Sequence, residues 1–509
     1  MDTRLRPGEP RGAPGTLRPR RSPGGSVHRL PPTLLTARCA IVAALITLPA
    51  LPAASAASAA PGDYPSGPRS AGAAAPDFDG DGHADTVTAA PGGTVAGQEN
   101  AGYLTVVHGS GPGADVTRHK LLHQELGGVP GQAAPGARFG GRTVARDLDG
   151  DGRTDLAVRG AGGSSAMILW GSAEGLAEGT ELPEAAGTDG ENLIGGDFNG
   201  DGHADLVGGS TVSEEWGDLR VLYGPFGRDG SPAATGDLAT PHVYEPRDLV
   251  SGDVTGDGKD DLVSLHDFEE MSERTNFWRG TADGLEADED TLQGADTATV
   301  GDVDGDGYGD IVMRTVPGGV VENLPYDEGT LKVVYGSADG PSTRTAVIDQ
   351  DTAGVPGTGE DGDQLGASLA AGDVNGDGFA DIAAGVPYED IDGVGADAGA
   401  VVLLKGSADG LTGRGAQAFH QNTAGVPGTG ERGDAFGTGL ALLDTDGDGR
   451  DDLAAGAPGE DGDTRDPGAG WVLRGSGGGL TTDGVVSYGP NAFPGAPRAG
   501  ARLGESYPR

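Results

Sequence analysis

One nine-residue phrase constrains this chain more than any other feature, because it occurs seven times. Its pattern is Asp-x-(Asp/Asn/Thr)-Gly-Asp-Gly-x-x-Asp, and successive copies start 49 to 71 residues apart. The copies occupy residues 77–85, 147–155, 197–205, 253–261, 302–310, 373–381 and 444–452. Self-similarity at such a spacing is typical of a repeat architecture. We therefore expect an array of similar units rather than one irregular core.

Composition alone would favour disorder. Gly (97) and Pro (34) make up about a quarter of the 509 residues, only 5% of residues are aromatic, and the net charge is −44. Such acidity disfavours a nucleic-acid partner, because the phosphate backbone would be repelled. The repeats, rather than the composition, therefore indicate a packed fold.

Each copy offers the ligand types that can surround a calcium ion. Side-chain oxygens at positions 1, 3, 5 and 9 and the backbone carbonyl at position 7 form an oxygen-only set, which Ca²⁺ prefers. The glycine at position 6 allows a sharp turn. Without a cation, the carboxylates would repel one another. We therefore predict up to seven Ca²⁺ sites.

The predicted ligand positions are Asp77, Asp79, Asp81, His83 and Asp85; Asp147, Asp149, Asp151, Arg153 and Asp155; Asp197, Asn199, Asp201, His203 and Asp205; Asp253, Thr255, Asp257, Lys259 and Asp261; Asp302, Asp304, Asp306, Tyr308 and Asp310; Asp373, Asn375, Asp377, Phe379 and Asp381; and Asp444, Asp446, Asp448, Arg450 and Asp452. The position-7 residues would contribute only their carbonyl oxygens. Three copies have a neutral residue at position 3 (Asn199, Thr255 and Asn375), and we expect weaker binding there, weakest at Thr255.

An EF-hand or dockerin-like loop is the rival interpretation. Such loops need a carboxylate at position 12 and a helix after it. Position 12 is instead Thr88, Val158, Gly208, Ser264, Met313, Ala384 or Ala455. The residues that follow position 9 are short apolar or alternating runs that end at Gly or Pro, which predicts strands. Each loop should therefore join two strands.

The remainder of each repeat also predicts strands. A further β-rich run is closed by a Gly turn, as in 103–110 (YLTVVHGS) and 400–407 (AVVLLKGS), and in the fuller copies a short strand precedes the loop. The connection before that strand is itself repeated, at 350–360 and 421–431, with a shorter relative at 124–131. Roughly four strands in each of seven repeats predict an all-β, seven-bladed β-propeller over residues 77–509.

The two ends of the chain predict how the ring closes. No strand precedes the first loop at Asp77, whereas the final residues (AGARLGESYPR) look like the start of a repeat without its loop. We therefore expect the C-terminal strand to complete the first blade and remove the open sheet edges.

The first 76 residues predict export. A basic start is followed by an apolar run that ends in small residues, which is the pattern of a secretory signal peptide over 1–60. Residues 61–76 have the Pro/Gly/Ala/Ser composition of a flexible linker. The single cysteine, Cys39, lies in the leader, so the mature chain would have no disulfide. We expect a secreted, extracellular monomer with no membrane span in the mature chain.

The combination of Phe-Gly, the aspartate phrase and Gly-Ala-Pro resembles the FG-GAP repeats of the integrin α-subunit head. Residues 436–458 (FGTGLALLDTDGDGRDDLAAGAP) show all three parts, and the resemblance covers about 77–509. It implies a seven-bladed propeller with calcium held between the first two strands of some blades. Copies three to five lack a clean Phe-Gly.

No catalytic motif is recognisable, so we expect no enzymatic activity. Three classes of function remain open. The first is a calcium-binding scaffold for adhesion or for an extracellular protein ligand. The second is a secreted lectin whose aromatic residues stack on sugars, with the candidates Trp170, Trp216, Trp278, Trp471, Tyr223 and Tyr335. The third is a hydrolase with an unrecognised site. The tripeptide 432–434 (RGD) is interpreted as repeat drift, because the parallel copy has EDGD.

Overall fold

The computed structural model describes residues 76–509 apart from 161–165, 184–185, 211–216, 392 and 394. The predicted leader and almost all of the predicted linker therefore lie outside the described residues. Within them the chain forms 29 β-strands and no α-helix. The prediction of an all-β fold is confirmed.

The strands form one sheet, or blade, for each copy of the phrase. Blade 1 contains β1 (Thr86–Ala90), β2 (Tyr103–His108) and β3 (Asp115–Leu122). Blade 2 contains β4 (Arg142–Arg146), β5 (Asp155–Arg159), β6 (Met167–Trp170) and β7 (Glu178–Glu181). Blade 3 contains β8 (Thr188–Gly196), β9 (Asp205–Ser210), β10 (Leu219–Tyr223) and β11 (Ala234–Leu238).

Blade 4 contains β12 (Asp248–Gly252), β13 (Asp261–Leu265), β16 (Thr275–Thr281) and β17 (Gly284–Leu292), with a hairpin of β14 (Asp267–Phe268) and β15 (Met271–Ser272) after its second strand. Blade 5 contains β18 (Ala295–Gly301), β19 (Asp310–Thr315), β20 (Leu331–Val334) and β21 (Thr345–Ile348). Blade 6 contains β22 (Leu369–Gly372), β23 (Asp381–Val386), β24 (Ala400–Lys405) and β25 (Thr412–Phe419). Blade 7 contains β26 (Leu440–Leu443), β27 (Asp452–Ala457), β28 (Ala469–Arg474) and β29 (Thr481–Tyr488). Short 3₁₀ helices occur at Pro317–Gly319, Val321–Tyr326 and Pro490–Ala492.

Neighbouring blades pack face to face and share their cores. Each of seven hydrophobic clusters is built from two adjacent blades, and one of them joins blade 7 to blade 1. Because both faces of a blade are covered, second strands such as β5, β13 and β27 are buried along their whole length. The first strands of consecutive blades contact one another from blade 2 to blade 7 and line the centre of the ring. This arrangement is the predicted seven-bladed propeller.

The topology divides the loops between two faces. Strands within a blade are antiparallel, so the loop from the first to the second strand lies at the same end in every blade. We name this end, which carries the seven aspartate phrases, the lower face. Loops that join the second strand to the third, and those that lead into the next blade, lie at the opposite end, the upper face.

The C-terminal residues close the ring. The Ala89 N–H donates to the Ser506 carbonyl and the Gly504 N–H donates to the Ala89 carbonyl, both at 3.0 Å. The chain then continues to blade 2, where the Arg509 N–H donates to Thr143. The predicted closure is confirmed in its place, although these residues pair through isolated hydrogen bonds rather than as a regular strand.

Replacement of Leu503 should test this closure. Its side chain is completely buried in the cluster between blades 7 and 1. We expect Leu503→Ala to lower the free energy of unfolding by about 2–5 kcal/mol, because it leaves a cavity at the closing contact. Urea unfolding would measure the change. Leu126→Ala, on an exposed loop residue, is the matched control and should cost less than about 0.5 kcal/mol. Equal effects of the two substitutions would contradict a closing role.

Candidate functional site

The first aspartate of each phrase organises its own loop. In the first loop, Asp77 Oδ1 accepts hydrogen bonds from the N–H groups of Gly80 (2.7 Å) and Asp81 (3.1 Å), and Oδ2 accepts one from Gly82 (2.8 Å). The bonds from positions 5 and 6 to position 1 recur in all seven loops. The glycines at positions 4 and 6 have φ between 66° and 90°, a backbone conformation that residues with a Cβ rarely adopt. The spacing of the phrase therefore encodes a tightly wound loop.

The last aspartate fastens the loop to its blade. Asp85 is 1% exposed, and its two carboxylate oxygens accept hydrogen bonds from the N–H groups of Phe78 (2.9 Å) and Gly109 (3.0 Å). Gly109 follows β2, the counterpart of the third strand in the other blades, so one side chain ties position 2 of the loop to the end of that strand. In the other six blades the N–H of a glycine at the end of the third strand, or just beyond it, also donates to position 9. Position 9 is thus a structural clasp as well as a predicted ligand.

Burial shifts the ionisation of these clasps. Desolvation raises the pKa of five position-9 carboxyls to about 7 and that of Asp452 to about 6. The five are Asp155, Asp205, Asp261, Asp310 and Asp381. Such a shift indicates that the hydrogen bonds of the protein do not fully offset the desolvation of the ionised carboxylate.

Four loops bring three carboxylates together. One oxygen from each of three aspartates lies within 4.8 Å of the others in the loops of blades 1, 2, 5 and 7. These sets are Asp77, Asp79 and Asp81; Asp147, Asp149 and Asp155; Asp302, Asp304 and Asp306; and Asp444, Asp446 and Asp448. They are the four copies with aspartate at position 3, as the sequence requires. In the other three loops the neutral residues Asn199, Thr255 and Asn375 stand in that place.

The position-3 aspartates have the environment that a cation would complete. Their side chains are at most 9% exposed, so little water reaches them. Asp304 Oδ1 is buried without a hydrogen-bond partner. An unpartnered buried carboxylate oxygen is costly unless a cation or a donor meets it. The three-carboxylate sets offer oxygen ligands, which fit a hard divalent ion such as Ca²⁺, and in the first loop His108 Nδ1 also lies 3.1 Å from Asp85 Oδ1.

Arginines that the sequence analysis missed partly neutralise these loops. One pairs with each position-3 aspartate: Arg118 with Asp79, Arg228 with Asp149, Arg344 with Asp304, and Arg474 with Asp446. In the first pair, the guanidinium Nη2 lies 2.6 Å from the carboxylate Oδ2. The arginines lie outside the phrases: Arg118 is in β3, Arg474 ends β28, and Arg228 and Arg344 are in the connections between third and fourth strands. No fixed spacing could have revealed them.

The position-7 side chains also have a role that the sequence analysis missed. Each lies over the position-4 glycine of the preceding loop, so that a Cβ added to that glycine would stand 2.6–3.5 Å from it. The covering residues are His83, Arg153, His203, Lys259, Tyr308, Phe379 and Arg450. All seven side chains are large, and this shared size is the sequence signal that could have revealed their role. Their carbonyl oxygens remain the predicted ligands.

Backbone hydrogen bonds connect the loops around the ring. The N–H at position 8 donates to the position-1 carbonyl of the preceding loop at six junctions, at 2.8–3.0 Å. One of the six crosses the closure, from Ala84 to Asp444 (3.0 Å). An interaction that orders one loop therefore also affects the order of the neighbouring loops.

Other features singled out in the sequence are placed by the structure. Trp170, Trp278, Trp471 and Tyr335 are buried in the cores, and Tyr223 is half-buried, which disfavours sugar stacking at the first four. Trp216 lies outside the described residues. In the RGD tripeptide Asp434 is 1% exposed, so its carboxylate is not presented for adhesion.

A cluster of polar side chains in blade 4 resembles catalytic machinery in composition only. His266 Nε2 lies 3.0 Å from Ser264 Oγ, and His242, which stacks on His266, contacts Glu273. Ser264 and His266 are completely buried, so no substrate can reach the hydroxyl. Burial also lowers the pKa of His266 to about 3. The pair is part of the core. Among the described residues, no helix is long and apolar enough to cross a membrane.

The raised pKa values of the position-9 clasps predict a pH dependence of stability. An unfolded chain releases these protons near pH 4, whereas the folded protein holds them until about pH 7. The folded state therefore binds more protons between these values, and in calcium-free buffer the free energy of unfolding should fall as pH rises from about 4 to 7. Each group contributes at most about 1.4 kcal/mol per pH unit. Urea unfolding at several pH values measures the slope, and Asp310→Asn should reduce it. A stability that rises over this range would contradict the interpretation.

Comparison with known proteins agrees with this architecture. The model of the FG-GAP repeat matches residues 69–107, 365–404 and 436–473, and that of the FG-GAP-like repeat matches 147–208. Phosphatidylinositol-glycan-specific phospholipase D of Rattus norvegicus is 30% identical over 169 residues, which are 30% of this chain and 20% of that protein. The match thus spans about a fifth of the length of the relative.

Two solved structures align with this chain at low sequence identity. AofleA from Arthrobotrys oligospora aligns with a TM-score of 0.36 and 10% identity over 70% of this chain and 91% of that chain. A hypothetical selenium-binding protein from Sulfolobus tokodaii aligns with a TM-score of 0.43 and 12% identity over 85% and 96% of the two chains. Neither alignment reaches a TM-score of 0.5. The repeat matches fall on five of the seven aspartate loops and on the strands around them, so the chain contains FG-GAP and FG-GAP-like repeats.

Proposed function

We propose that this protein is a secreted, calcium-stabilised binding scaffold whose lower face holds Ca²⁺ and whose upper face binds an extracellular partner. The proposal that the protein binds calcium is supported by the three carboxylates that meet in each of four loops, where the position-3 side chains are buried. Their oxygen-only chemistry fits Ca²⁺, and the extracellular concentration of the ion suits loops of modest affinity.

Calcium would act through the ring as well as within each loop. The position-9 clasp ties a loop to its own blade, and the position-8 hydrogen bond ties it to the preceding one. A cation that binds only the folded loops adds its binding free energy to the stability of the fold. In a secreted chain without disulfides, this contribution replaces a covalent cross-link. The loops of blades 1, 2, 5 and 7 are the proposed strong sites, and those of blades 3, 4 and 6 the weaker ones.

The upper face of blades 4 and 5 supports the binding role. It exposes Tyr244 (41%), Phe268 (37%), Met271 (50%) and Tyr326 (76%). The rings of Tyr244 and Phe268 stack at 5.5 Å, and the hairpin that carries Phe268 and Met271 bonds to the 3₁₀ helix that carries Tyr326. A contiguous apolar patch on a soluble surface commonly marks an interaction site. We infer a protein ligand, since four of the six aromatic candidates for sugar stacking are buried in the cores.

Calcium binding is tested by thermal unfolding with Ca²⁺, with Mg²⁺ and with a chelator. We expect Ca²⁺ to raise the Tm well above that in chelator and Mg²⁺ to do so much less. Asp304→Asn, which copies position 3 of the weaker loops, should lower the affinity of one site about tenfold, because it removes a ligand charge. Asp409→Asn, on a 78%-exposed side chain paired with Arg414, is the control and should change nothing. Superimposed melting curves in Ca²⁺ and chelator would refute the calcium proposal.

The upper-face patch is tested with panels of purified extracellular proteins and immobilised glycans in calcium buffer. We expect binding to a protein of the panel, and at least a tenfold loss of affinity in Tyr244→Ser/Phe268→Ser, because exposed aromatics are frequent binding hot spots. Val347→Ser removes an exposed apolar side chain from the outer strand of blade 5 and should leave binding intact. Binding to a glycan that the double variant retains would instead favour a lectin.

A further inference from the structure

The two loops with asparagine at position 3 share a dipeptide that occurs nowhere else in the chain. Asn199-Gly200 lies in blade 3 and Asn375-Gly376 lies in blade 6, and in both cases the next two residues are Asp-Gly. A side-chain amide is lost most readily before glycine, because glycine has no side chain to hinder the approach of its main-chain nitrogen. The two loops are therefore candidates for a chemical change at position 3 that the other five, which have no amide there, cannot undergo.

Deamidation of this dipeptide needs only water as a reactant. The glycine nitrogen, once a base has taken its proton, attacks the Cγ carbon of the asparagine side chain. A C–N bond forms, the bond from Cγ to Nδ2 breaks, and ammonia leaves with the proton, so that a succinimide ring remains. Water then opens the ring at either carbonyl and gives aspartate or isoaspartate. The whole sequence consumes one water and releases one ammonia.

The attacking nitrogen is restrained in blade 6 but not in blade 3. The Gly376 N–H donates a hydrogen bond to Asp373 Oδ1 at 2.7 Å. In blade 3 the equivalent carboxylate, Asp197, is engaged by positions 5 and 6 of the loop, and within the described part of the chain the Gly200 N–H makes no hydrogen bond. Gly200 is exposed, so a base in the solvent can reach it. A hydrogen-bonded N–H keeps its proton and its direction, and a free one gives up both more easily.

The carbonyl under attack is activated in blade 3 but not in blade 6. Asn199 Oδ1 accepts the N–H of Asp201 at 2.9 Å, and Asn199 Nδ2 donates to Asp201 Oδ2 at 3.0 Å. Attack on Cγ moves negative charge onto Oδ1, and a backbone N–H already directed at that oxygen stabilises the charge, as the donors of an oxyanion hole do. The Asn375 amide instead directs Nδ2 at Asp381 Oδ2 (3.3 Å), and the position-5 N–H of that loop donates to position 1.

Aspartate in place of Asn199 would give the loop of blade 3 the carboxylate that distinguishes the four strong loops. This consequence rests on the proposed calcium function, whereas the modification itself does not. Each arginine that pairs with a position-3 aspartate serves one of the four strong loops, so the new charge would be offset by a bound cation rather than by a guanidinium. Isoaspartate would add one atom to the main chain and disturb the hydrogen-bond spacing of the wound loop.

We propose that Asn199 is a site of spontaneous deamidation in the folded protein, and that the aspartate product converts the loop of blade 3 from a weaker into a strong calcium loop. Asn375 has the same following residues but is kept from reacting by the hydrogen bonds of its own loop. The capacity of the protein for calcium would then increase with its age, without the action of an enzyme.

The test compares the two asparagines within one chain. The full chain is incubated at mildly alkaline pH with a chelator, and mass spectrometry of its peptides measures the acid form at each site over time. We expect Asn199 to deamidate about tenfold faster than Asn375, the factor that one hydrogen bond of ordinary strength supplies. In guanidinium chloride the two rates should converge, because only the local sequence then decides them. Equal rates in the folded protein, or no acid form at Asn199, would overturn the proposal. Asn199→Gln, whose longer side chain closes a ring far more slowly, is the control and should stay unchanged.

A calcium titration separates failure of this inference from failure of the calcium proposal. Asn199→Asp makes the aspartate product directly and should bind one Ca²⁺ about tenfold more tightly than the parent, because it adds a ligand charge. An aged parent should show the same gain in the fraction of molecules that carry aspartate. If Asn199 deamidates but Asn199→Asp binds calcium as the parent does, or if isoaspartate is the sole product, the calcium consequence is overturned and the modification is confirmed. If Asn199→Asp binds more tightly but the parent never deamidates, the calcium role is supported and this inference is overturned.

Discussion

The structure depends on a buried carboxylate held between two backbone N–H groups. At position 9 of every phrase, an aspartate accepts a hydrogen bond from the N–H of a glycine at or just beyond the end of the third strand. In most loops it also accepts one from an N–H of its own loop. This contact fixes the loop on the blade, and only a fixed loop can present its position-8 N–H to the preceding blade. The cost of burying the charge is visible in the raised pKa of these carboxyls. The proposed cations would reduce that cost without altering the hydrogen bonds.

Much of the fold was predictable because its determinants are local and repeated. Each phrase fixes a turn, and the runs around it have the length and composition of strands. The number of copies then gave the number of blades, and the unmatched ends gave the closure near Ala89. The prediction of Asp-rich metal loops separated the four copies with aspartate at position 3 from the three without it, in agreement with the carboxylate clusters of the structure. None of these features depends on which blades are in contact.

The rest could not be predicted because it depends on contacts between distant residues. Arg228 reaches Asp149 from 79 residues further along the chain, in the next blade. His83 covers Gly447 across the closure, at the opposite end of the sequence. The burial of Gln421 beside Glu460 is likewise set by two loops that approach only in the folded ring. Side chains of this kind carry no spacing signal, and their positions follow only from the three-dimensional arrangement.

The joining of both ends in blade 1 has a mechanical consequence. An open repeat array can fray from either terminal repeat, since each end has only one neighbour. Here every blade has two neighbours, and the contact between Ala89 and the final residues adds to the core that blades 7 and 1 share. Proteolytic loss of a few C-terminal residues would leave the β1 edge unpaired, while the core shared by blades 7 and 1 would still hold the two blades together. An unpaired strand edge is a template for pairing with another chain, so the final residues protect the ring against edge-to-edge association.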